Sequence, residues 1–339
     1  MSAELSTSVL CPLCRREAEP AYAPNSWTLR DGEHDFRYAH CPACEAMFAV
    51  PLPTPEETDW LYRHRYDYSW FIQRRGLKRI QAAHRWRRLR ALFAKLQISG
   101  PSRRMLDIGG GHAWFLRAAQ GDGWTPEGLE LLNDELVATA KAHGIVMHHG
   151  SLLAHSLPAN TFGLVTAWHV VEHVPDVRAA IPAIADLLAP GGIGVIAVPN
   201  YQAAGLKRDG LAWVWCQKPF IHPWHLSATT LKTLIPPSLE VLHITSRDTW
   251  DAQWAESTGL YHYAMKAIYA VALYVRKGAA LLSIKFGKAF GDRLQFLAEE
   301  ALRLGTYCGY LLLRPFLRKD YEAALHGSEL MLIVRKKST

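Results

Sequence analysis

The sequence has no long uncharged apolar run, few cysteines and no basic N-terminal leader, and each absence argues against a class of protein. A membrane-spanning helix needs about 20 consecutive apolar residues, whereas the best candidate, Ile268 to Val275, is short and is followed by Arg276 and Lys277. The first ten residues, MSAELSTSVL, lack the basic start and apolar core of a secretory signal. We therefore expect a cytoplasmic chain whose six cysteines are reduced rather than paired in disulfides.

The composition is that of a folded protein with a mild excess of positive charge. Of the 339 residues, 49% are hydrophobic and 20% are charged, and Lys and Arg outnumber Asp and Glu by 38 to 31. This amount of apolar surface is enough to offset chain entropy, which excludes wholesale disorder. The length fits about two domains, or one large α/β domain with additions.

Four of the six cysteines form two CxxC pairs, a pattern typical of a zinc site. Cys11 and Cys14 are separated by 26 residues from Cys41 and Cys44, and four thiolates fill the tetrahedral coordination shell of Zn2+. Because no coordination position is left for water or substrate, we expect a structural ion. The segment between the pairs contains an Asp-Gly turn signal. The sequence therefore predicts a zinc ribbon over residues 1–53.

Residues 54–100 are predicted to form a helical linker that covers the active site. The helix start at Thr54 carries a capping residue followed by acids. Farther on, Arg74 to Lys95 holds nine Lys or Arg residues and no acid. This basic run either contacts phosphate or an anionic membrane surface, or forms the solvated face of a helix packed on the next domain.

A glycine-rich turn after a short apolar run indicates a site for an adenosine-containing cofactor. Met105–Ile108 is predicted as a strand, Gly109–Gly111 as a turn and Phe115–Ala119 as the following helix. About twenty residues later a second apolar run ends at Glu130, a position from which a carboxylate binds ribose hydroxyls. Trp114 stands where a dinucleotide-binding turn needs its third glycine, which argues against NAD.

Apolar segments alternate with helical stretches along the centre of the chain, and this alternation predicts a parallel sheet. The predicted strands are Met105–Ile108, Pro126–Glu130, Leu164–Trp168 and Gly194–Val198. A later pair, Leu239–Thr245 and Glu329–Arg335, resembles the sixth and seventh strands that close a fold of this kind, the last of them antiparallel.

Four blocks of this region resemble, in their order, the class I S-adenosylmethionine-dependent methyltransferases: LDIGGGHAWFL, GLELLNDELVATAKAHGI, FGLVTAWHVVEHVPDV and LLAPGGIGVIAVPNYQ. The resemblance implies an α/β fold with a Rossmann-like seven-stranded sheet, its core over residues 101–248, a helical insertion over 249–327 and the last strand over 328–339. It implies S-adenosylmethionine as the cofactor, bound by Asp107, Gly109, Gly111, Glu130, Leu131, Ser151 and Trp168. The sequence departs from the family at Ala113, usually glycine, and at Ser151, near the place where an acid usually contacts adenine.

His169, Glu172 and His173 follow the predicted strand Leu164–Trp168, at the sheet edge where ligands of open α/β folds bind. They are expected to share one face of a helical turn. Three alternatives stay open. His169 or His173 acts as a general base; the three residues bind a divalent metal, as Glu, Glu and His do in quinone O-methyltransferases that resemble this sequence; or they only orient the loop.

The segment KPFIHPWHLS resembles one found in zinc-ribbon methyltransferases of bacterial sugar and polysaccharide pathways. In that group the two histidines line the acceptor pocket, which implies that His222 and His225 remove a proton or bind the substrate. Ser227 is predicted to cap a helix. Tyr66, Tyr68 and Trp70 resemble the part of that group that folds over the active site.

These observations predict an S-adenosylmethionine-dependent methyltransferase whose acceptor is small or lipid-linked, a sugar first and a quinone or polyprenyl compound second. RNA methylation is an alternative, but Val198-Pro199-Asn200-Tyr201 differs from the Asn/Asp-Pro-Pro-aromatic loop of base amino methylation, so no nucleic-acid partner is favoured. A non-catalytic zinc-ribbon scaffold is another alternative.

Residues 261–322 carry ten basic residues against five acids. This charge predicts that the segment contacts the inner face of the membrane peripherally, forms a lid or forms a homodimer surface.

Overall fold

The computed structural model of this chain describes residues 9–20, 25–29, 32–64, 75–131, 134–210, 213–216, 221–247, 293, 297–298, 301 and 325–338. The predicted helical insertion, apart from its last residues and a few single positions, lies outside these ranges. So do Tyr66, Tyr68 and Trp70.

The strands form two sheets. In chain order they are β1 (Val9–Leu10), β2 (Glu17–Pro20), β3 (Asn25–Leu29), β4 (Gly32–Cys41), β5 (Ala46–Val50), β6 (Arg104–Ile108), β7 (Thr125–Glu130), β8 (Val146–His149), β9 (Phe162–Trp168), β10 (Leu188–Pro199), β11 (Trp224–Leu226), β12 (Leu239–Arg247) and β13 (Glu329–Lys336). The described helices are α1 (Pro55–His64), α2 (Arg75–Lys95), α3 (Trp114–Gln120), α4 (Asp134–Lys141), α5 (Val177–Leu187), α6 (Ala204–Asp209) and α7 (Ala228–Thr233).

The larger sheet has seven strands in the order β12-β13-β10-β9-β6-β7-β8. The strands from β10 to β8 are parallel to one another, whereas β13 runs antiparallel between β10 and β12. The predicted α/β fold with a mostly parallel seven-stranded sheet is confirmed. The central strands pack on both faces, as expected of a parallel sheet covered by helices.

The core lies on both faces of this sheet because successive side chains of a strand point to opposite sides. On one face Leu106 and Val165 pack with Ile181 and Ile184 of α5. On the other face Met105, Leu164 and Val195 pack with Trp86 of α2 and Phe115 of α3. The basic run therefore forms one helix that packs on the sheet through Trp86 and Leu89.

The smaller sheet contains the N-terminal strands in the order β1-β2-β4-β5-β11, with β3 paired to β4. Between the cysteine pairs, β3 and β4 pair antiparallel as a hairpin, as the Asp-Gly turn signal of that segment indicates. The last strand, β11, comes from the segment predicted to line the acceptor pocket, and it pairs antiparallel with β5. The N-terminal ribbon and the central part of the chain thus share one sheet.

All six predicted strands are present, each of them longer than predicted, and β8 is an additional strand of the larger sheet. Its sequence, Val-Met-His-His, is short, polar and at the sheet edge, so it lacks the apolar run by which the others were found. The two predicted helix starts are confirmed. Thr54 and Glu57 exchange hydrogen bonds at the start of α1, and Ser227 forms a capping box with Thr230 at the start of α7. Within the described ranges, no helix is long and apolar enough to cross a membrane.

Candidate functional site

The four N-terminal cysteines come together in one cluster. The Sγ atoms of Cys11 and Cys44 lie 3.5 Å apart, those of Cys14 and Cys41 3.5 Å apart, and those of Cys41 and Cys44 3.4 Å apart. A disulfide bond is about 2.05 Å long, whereas four Zn–S bonds of about 2.3 Å put the corners of a tetrahedron about 3.8 Å apart. The cluster fits a tetrahedral metal ion rather than two disulfides.

Each pair of cysteines lies in the same kind of turn. The carbonyl of Cys11 accepts a hydrogen bond from the N–H of Arg15, and the carbonyl of Cys41 accepts one from Glu45, both at 2.9 Å. Arg15 and Glu45 both adopt left-handed backbone angles, with φ of 62° and 54°. The repeated turn aims both cysteines of a pair at one point, as a zinc ribbon requires.

The glycine-rich turn follows β6 directly. Gly109 and Gly111 have φ of 71° and 49°, a region in which a side chain is strained. A Cβ atom on Gly109 would lie only 2.8 Å from Cγ2 of Val170. The turn therefore touches the segment that carries His169 and His173.

Asp107 and Ala113 lie at the two ends of this turn. Thr166 on the neighbouring strand donates a 2.5 Å hydrogen bond to Oδ1 of Asp107. Burial raises the pKa of Asp107 to about 7, although this hydrogen bond and the charge of Arg85 oppose the shift. Ala113 is fully buried and left-handed, with φ of 58°, and it precedes the first residue of α3. Ala113 therefore adopts the left-handed backbone that glycine adopts more easily.

Glu130 lies at the end of β7, beside the glycine turn. Its carboxylate accepts hydrogen bonds from the N–H of Gly111 at 3.0 Å and from the N–H of Leu131 at 2.9 Å. Each carboxylate oxygen can accept two hydrogen bonds, so one position on each remains for a hydroxyl. Ser151 lies two residues after the end of the neighbouring strand β8, and the intervening Gly150 N–H donates to the Glu130 carbonyl.

These residues fit the adenosine and methionine portions of S-adenosylmethionine. The space beside Gly111 is open, since the nearest atom to a Cβ there would be 4.0 Å away, and Glu130 offers acceptors for the two ribose hydroxyls. Trp168, at the end of β9, is less directly placed: its ring is covered by the guanidinium of Arg85 at 4.6 Å and packs on Phe115. The cofactor roles of all these residues remain predictions.

His169 does not share a helical turn with Glu172 and His173, and this part of the prediction is wrong. The helical turn contains only Val171–His173, and His169 precedes it with a left-handed φ of 54°. Its Nε2 lies 2.7 Å from Oε2 of Glu329 and its Nδ1 lies 3.2 Å from Oε1 of Glu172. The ring also stacks on Trp215, with centroids 4.7 Å apart.

The surroundings of His169 favour its charged form. Burial alone lowers the pKa of His169, but the facing carboxylates of Glu172 and Glu329 outweigh burial and raise it. An imidazolium between two carboxylates has no lone pair with which to take a proton. His169 is thus better suited to hold its neighbours in place than to act as a base.

His173 and His222 have the opposite character and lie side by side, with ring centroids 4.7 Å apart. Nδ1 of His173 bonds to the carbonyl of Ile221 at 2.5 Å, and Nδ1 of His222 to the carbonyl of Trp215 at 2.9 Å. A carbonyl accepts only, so both Nδ1 atoms carry the proton and both Nε2 atoms carry the lone pair. Burial lowers the pKa of both histidines, most strongly that of His222.

Glu172 completes this cluster, and its carboxylate is fully buried without a well-formed hydrogen bond to any described residue. Ligand atoms of Glu172, His173 and His222 all lie within 4.8 Å of one another. If a metal binds here, His222 rather than His169 is the third side chain within reach. Tyr62 of α1 packs edge-on against His173, so the linker helix does reach this cluster.

His225 lies deeper than the other histidines. It is fully buried on β11, where its Nε2 lies 3.3 Å from the hydroxyl of Tyr38 and 3.8 Å from Sγ of Cys216. Burial lowers its pKa to about 3, so it is neutral. The structure places His225 between the ribbon and the core, behind His222.

Three residues of this region were missed by the sequence analysis: Glu329, Arg85 and Tyr38. Glu329 had a usable signal, because an acid that begins an otherwise apolar strand is buried only if it is paired. Nothing in the sequence distinguished Arg85 from the other eight basic residues between Arg74 and Lys95. Tyr38 had no local signal, since its partners His222 and His225 are far away in sequence.

The chain matches a family model and is similar to several known proteins. Residues 58–235, just over half of the chain, match the family model described as a methyltransferase domain. The chain is similar to the ubiquinone biosynthesis O-methyltransferase of Methylococcus capsulatus, 28% identical over 120 residues that cover 33% of this chain and 50% of the relative. It is also similar to the protein of that name from Caulobacter sp., 28% identical over 193 residues, covering 46% and 76%. The chain spans about half the length of the first of these relatives.

Among solved structures, the chain is similar to an S-adenosylmethionine-dependent methyltransferase of Mesorhizobium loti, with a TM-score of 0.39, 18% identity, and coverage of 69% of this chain and 90% of the other. A protein of Galdieria sulphuraria described as a sarcosine dimethylglycine methyltransferase gives a TM-score of 0.45 and 17% identity, with coverage of 77% and 86%.

Proposed function

The chain belongs to the methyltransferase-domain family, and from that premise we propose that it transfers a methyl group from S-adenosylmethionine to a small or lipid-linked acceptor, with a sugar hydroxyl as the first choice. One observation carries this proposal. The glycine turn and the histidine cluster are in contact, through Gly109 and Val170, so a methyl donor held at the turn would face the cluster.

S-adenosylmethionine, when bound, supplies a methyl group that is activated for displacement by its sulfonium. The protein therefore has to bind both substrates in line, exclude water and accept one proton from the acceptor. The turn from Asp107 to Gly111 and the carboxylate of Glu130 are assigned to the donor, with Leu131, Ser151 and Trp168 around them. The histidine cluster is assigned to the acceptor.

We assign proton removal to His222, with His173 beside it. Nε2 of His222 carries the lone pair and bonds to no described residue. Because His173, His225 and His169 face it and burial excludes water, its pKa is held well below the ordinary value. It is therefore unprotonated at neutral pH. Glu172 and His169 are assigned to positioning this cluster, and His225 lies behind it.

Glu130→Ala is expected to weaken binding of S-adenosylhomocysteine by about tenfold or more, because hydrogen bonds from the ribose to a carboxylate are worth about 1.5–3 kcal/mol. Isothermal titration calorimetry measures this. The matched control is Glu127→Gln on the same strand, whose carboxylate pairs with Arg104 and His148 instead. Equal affinity in wild type and Glu130→Ala would contradict the assigned cofactor site.

His222→Ala is expected to lower kcat by 10²–10⁴-fold, the usual contribution of a general base, while leaving S-adenosylhomocysteine affinity unchanged. In the wild type, the acidic limb of kcat/KM should fall below pH 6.5, since the pKa of His222 is lowered. An acidic limb above pH 6.5, or a variant with wild-type kcat, would remove His222 from this role. The measurement is product formation at a series of pH values.

A quinol hydroxyl is the second candidate acceptor, favoured by the names of the relatives. A screen for S-adenosylhomocysteine formation with nucleotide sugars, lipid-linked sugars and quinols separates the two classes. The metal alternative, an ion at Glu172, His173 and His222, is tested in the same assay. Chelation that spares the ribbon ion should abolish turnover if a second ion is needed and should leave it unchanged if His222 acts as a base.

We propose further that the four cysteines bind one structural Zn2+. Contact with an anionic membrane surface is a separate proposal, supported by the exposed basic face of α2, which includes Arg87 and Arg90.

A further inference from the structure

We propose that Tyr38, a residue of the N-terminal ribbon, is a positioning residue for the reaction and acts through His222. This inference rests on the proposed role of His222 in methyl transfer. It assigns the ribbon a direct part in building the acceptor site, in addition to folding around its metal ion.

The side chain of Tyr38 reaches from β4 into the core. Only 2% of Tyr38 is exposed, and its hydroxyl donates a 3.0 Å hydrogen bond to the main-chain carbonyl of His222. The next carbonyl, of Pro223, accepts a 2.8 Å hydrogen bond from the N–H of Ala49 on β5. Two consecutive carbonyls of the acceptor segment are therefore held by the ribbon.

His222 lies just before β11 and is in no helix or strand. The bond from its Nδ1 to the carbonyl of Trp215 orients the ring, but not the backbone that carries the ring. On either side, the carbonyl of Ile221 bonds to Nδ1 of His173 and the carbonyl of Pro223 to the N–H of Ala49. The hydroxyl of Tyr38 holds the carbonyl between them, that of His222 itself. A catalytic group displaced by about 1 Å loses much of its effect.

The hydrogen bonds from His225 to Tyr38 and from Tyr38 to the His222 carbonyl run in the same direction. The single hydroxyl proton of Tyr38 goes to the His222 carbonyl, so its oxygen can only accept from Nε2 of His225. Neutral His225 then carries its proton on Nε2. Burial raises the pKa of Tyr38 well above its ordinary value, so the hydroxyl stays a donor at working pH.

Tyr38→Phe tests the proposal, because it keeps the ring and removes only the hydroxyl. We would record imidazole 15N spectra of the full-length, zinc-loaded chain saturated with S-adenosylhomocysteine, with the His222 signal assigned from His222→Gln. In the wild type we expect the Nδ1–H tautomer of His222. In Tyr38→Phe we expect a mixture of tautomers and a kcat about tenfold lower, with KM, cofactor affinity and zinc content unchanged.

Phe48→Leu is the matched control, since Phe48 packs on Trp224 in the same sheet, whereas the ring contacts of His222 among the described residues are with His173 and Trp215. It should lower the melting temperature without changing the His222 spectrum. The proposal is overturned if Tyr38→Phe shows the wild-type His222 signal, or if Phe48→Leu changes that signal equally. Failure of the methyltransferase proposal would look different: the wild type would bind no S-adenosylhomocysteine, whatever the His222 spectrum shows.

Discussion

Cys14→Ser is expected to purify without its ribbon ion and to unfold the N-terminal sheet. Structural zinc contributes on the order of 10 kcal/mol to small domains that fold around it, and the cysteine turns connect β1 to β2 and β4 to β5. Elemental analysis gives the zinc content, and thermal unfolding gives the stability. A metal-free variant with the wild-type melting curve would refute the structural ion.

Cys14→Ser should also disturb the structure of the acceptor site and leave that of the cofactor site unchanged. β11 pairs with β5, and Thr230 at the start of α7 donates a 2.6 Å hydrogen bond to the carbonyl of Cys44. Gly109 and Glu130 belong to the other sheet. We therefore expect turnover to be lost and S-adenosylhomocysteine affinity to change by less than about threefold.

Cys216→Ala is the matched control for this experiment. Cys216 is also fully buried at the boundary between ribbon and core, where it packs near Tyr38 and Met47, but it is not part of the four-cysteine cluster. Cys216→Ala should lower the free energy of unfolding by about 1 kcal/mol or less, as small core substitutions do, and the variant protein should retain its zinc. Equal damage from both cysteine variants would point to packing rather than metal binding.

The cysteine cluster shows what the sequence could predict. Its ligands lie in two local turns, so their spacing alone indicated that four sulfurs would meet. The joining of the ribbon to the core by β11 had no such signal. Three residues, Trp224–Leu226, form this strand, and their pairing with β5 is a contact between segments more than 170 residues apart. Local periodicity carries no information on such a partner.

The histidine cluster shows the same limit more sharply. The sequence placed His169, Glu172 and His173 at the correct edge of the sheet, because that edge follows from the order of strands and helices. It missed Glu329, which lies 2.7 Å from Nε2 of His169 but is 160 positions away in the sequence. The buried charges had to be paired by some residue, but only the folded chain shows which one.

Glu329→Gln is expected to destabilise the fold by about 3–5 kcal/mol, the usual cost of breaking a buried ion pair from one side. Glu329 is fully buried and accepts a hydrogen bond from Nε of Arg247 on β12, while its other oxygen faces His169. Burial alone would raise the pKa of Glu329, but the charges of Arg247, His169 and Arg85 hold it well below its ordinary value. Glutamine leaves those cations without their counter-charge. Urea unfolding measures the loss.

The matched control lies on the same two strands. Glu240 and Arg335 form a second cross-strand pair of β12 and β13, 3.4 Å apart, but about half of the Glu240 side chain is exposed. Glu240→Gln should therefore lower the free energy of unfolding by no more than about 0.5 kcal/mol, as expected when a surface ion pair is lost. If the two variants lost equal stability, burial of Glu329 would not be the source of its effect.

The pH dependence of this stability loss distinguishes charge pairing among Glu329, His169 and Arg247 from an effect of packing alone. The pKa of Glu329 is lowered on folding, so its contribution is present above the ordinary carboxyl pKa of about 4.3 and is lost as pH falls through the folded value. The pKa of His169 is raised, so its contribution is complete below the ordinary imidazole pKa of about 6.5 and is lost as pH rises through the folded value. The stability difference between wild type and Glu329→Gln should therefore be largest between about pH 4.3 and 6.5. It should be smaller at alkaline pH, where His169 is neutral and Arg247 is the one cation still bonded directly to the Glu329 carboxylate among the described residues. A difference that does not become smaller as the pH rises above about 6.5 would mean that His169 is neutral in the folded protein, and the imidazolium assigned between Glu172 and Glu329 would then be wrong.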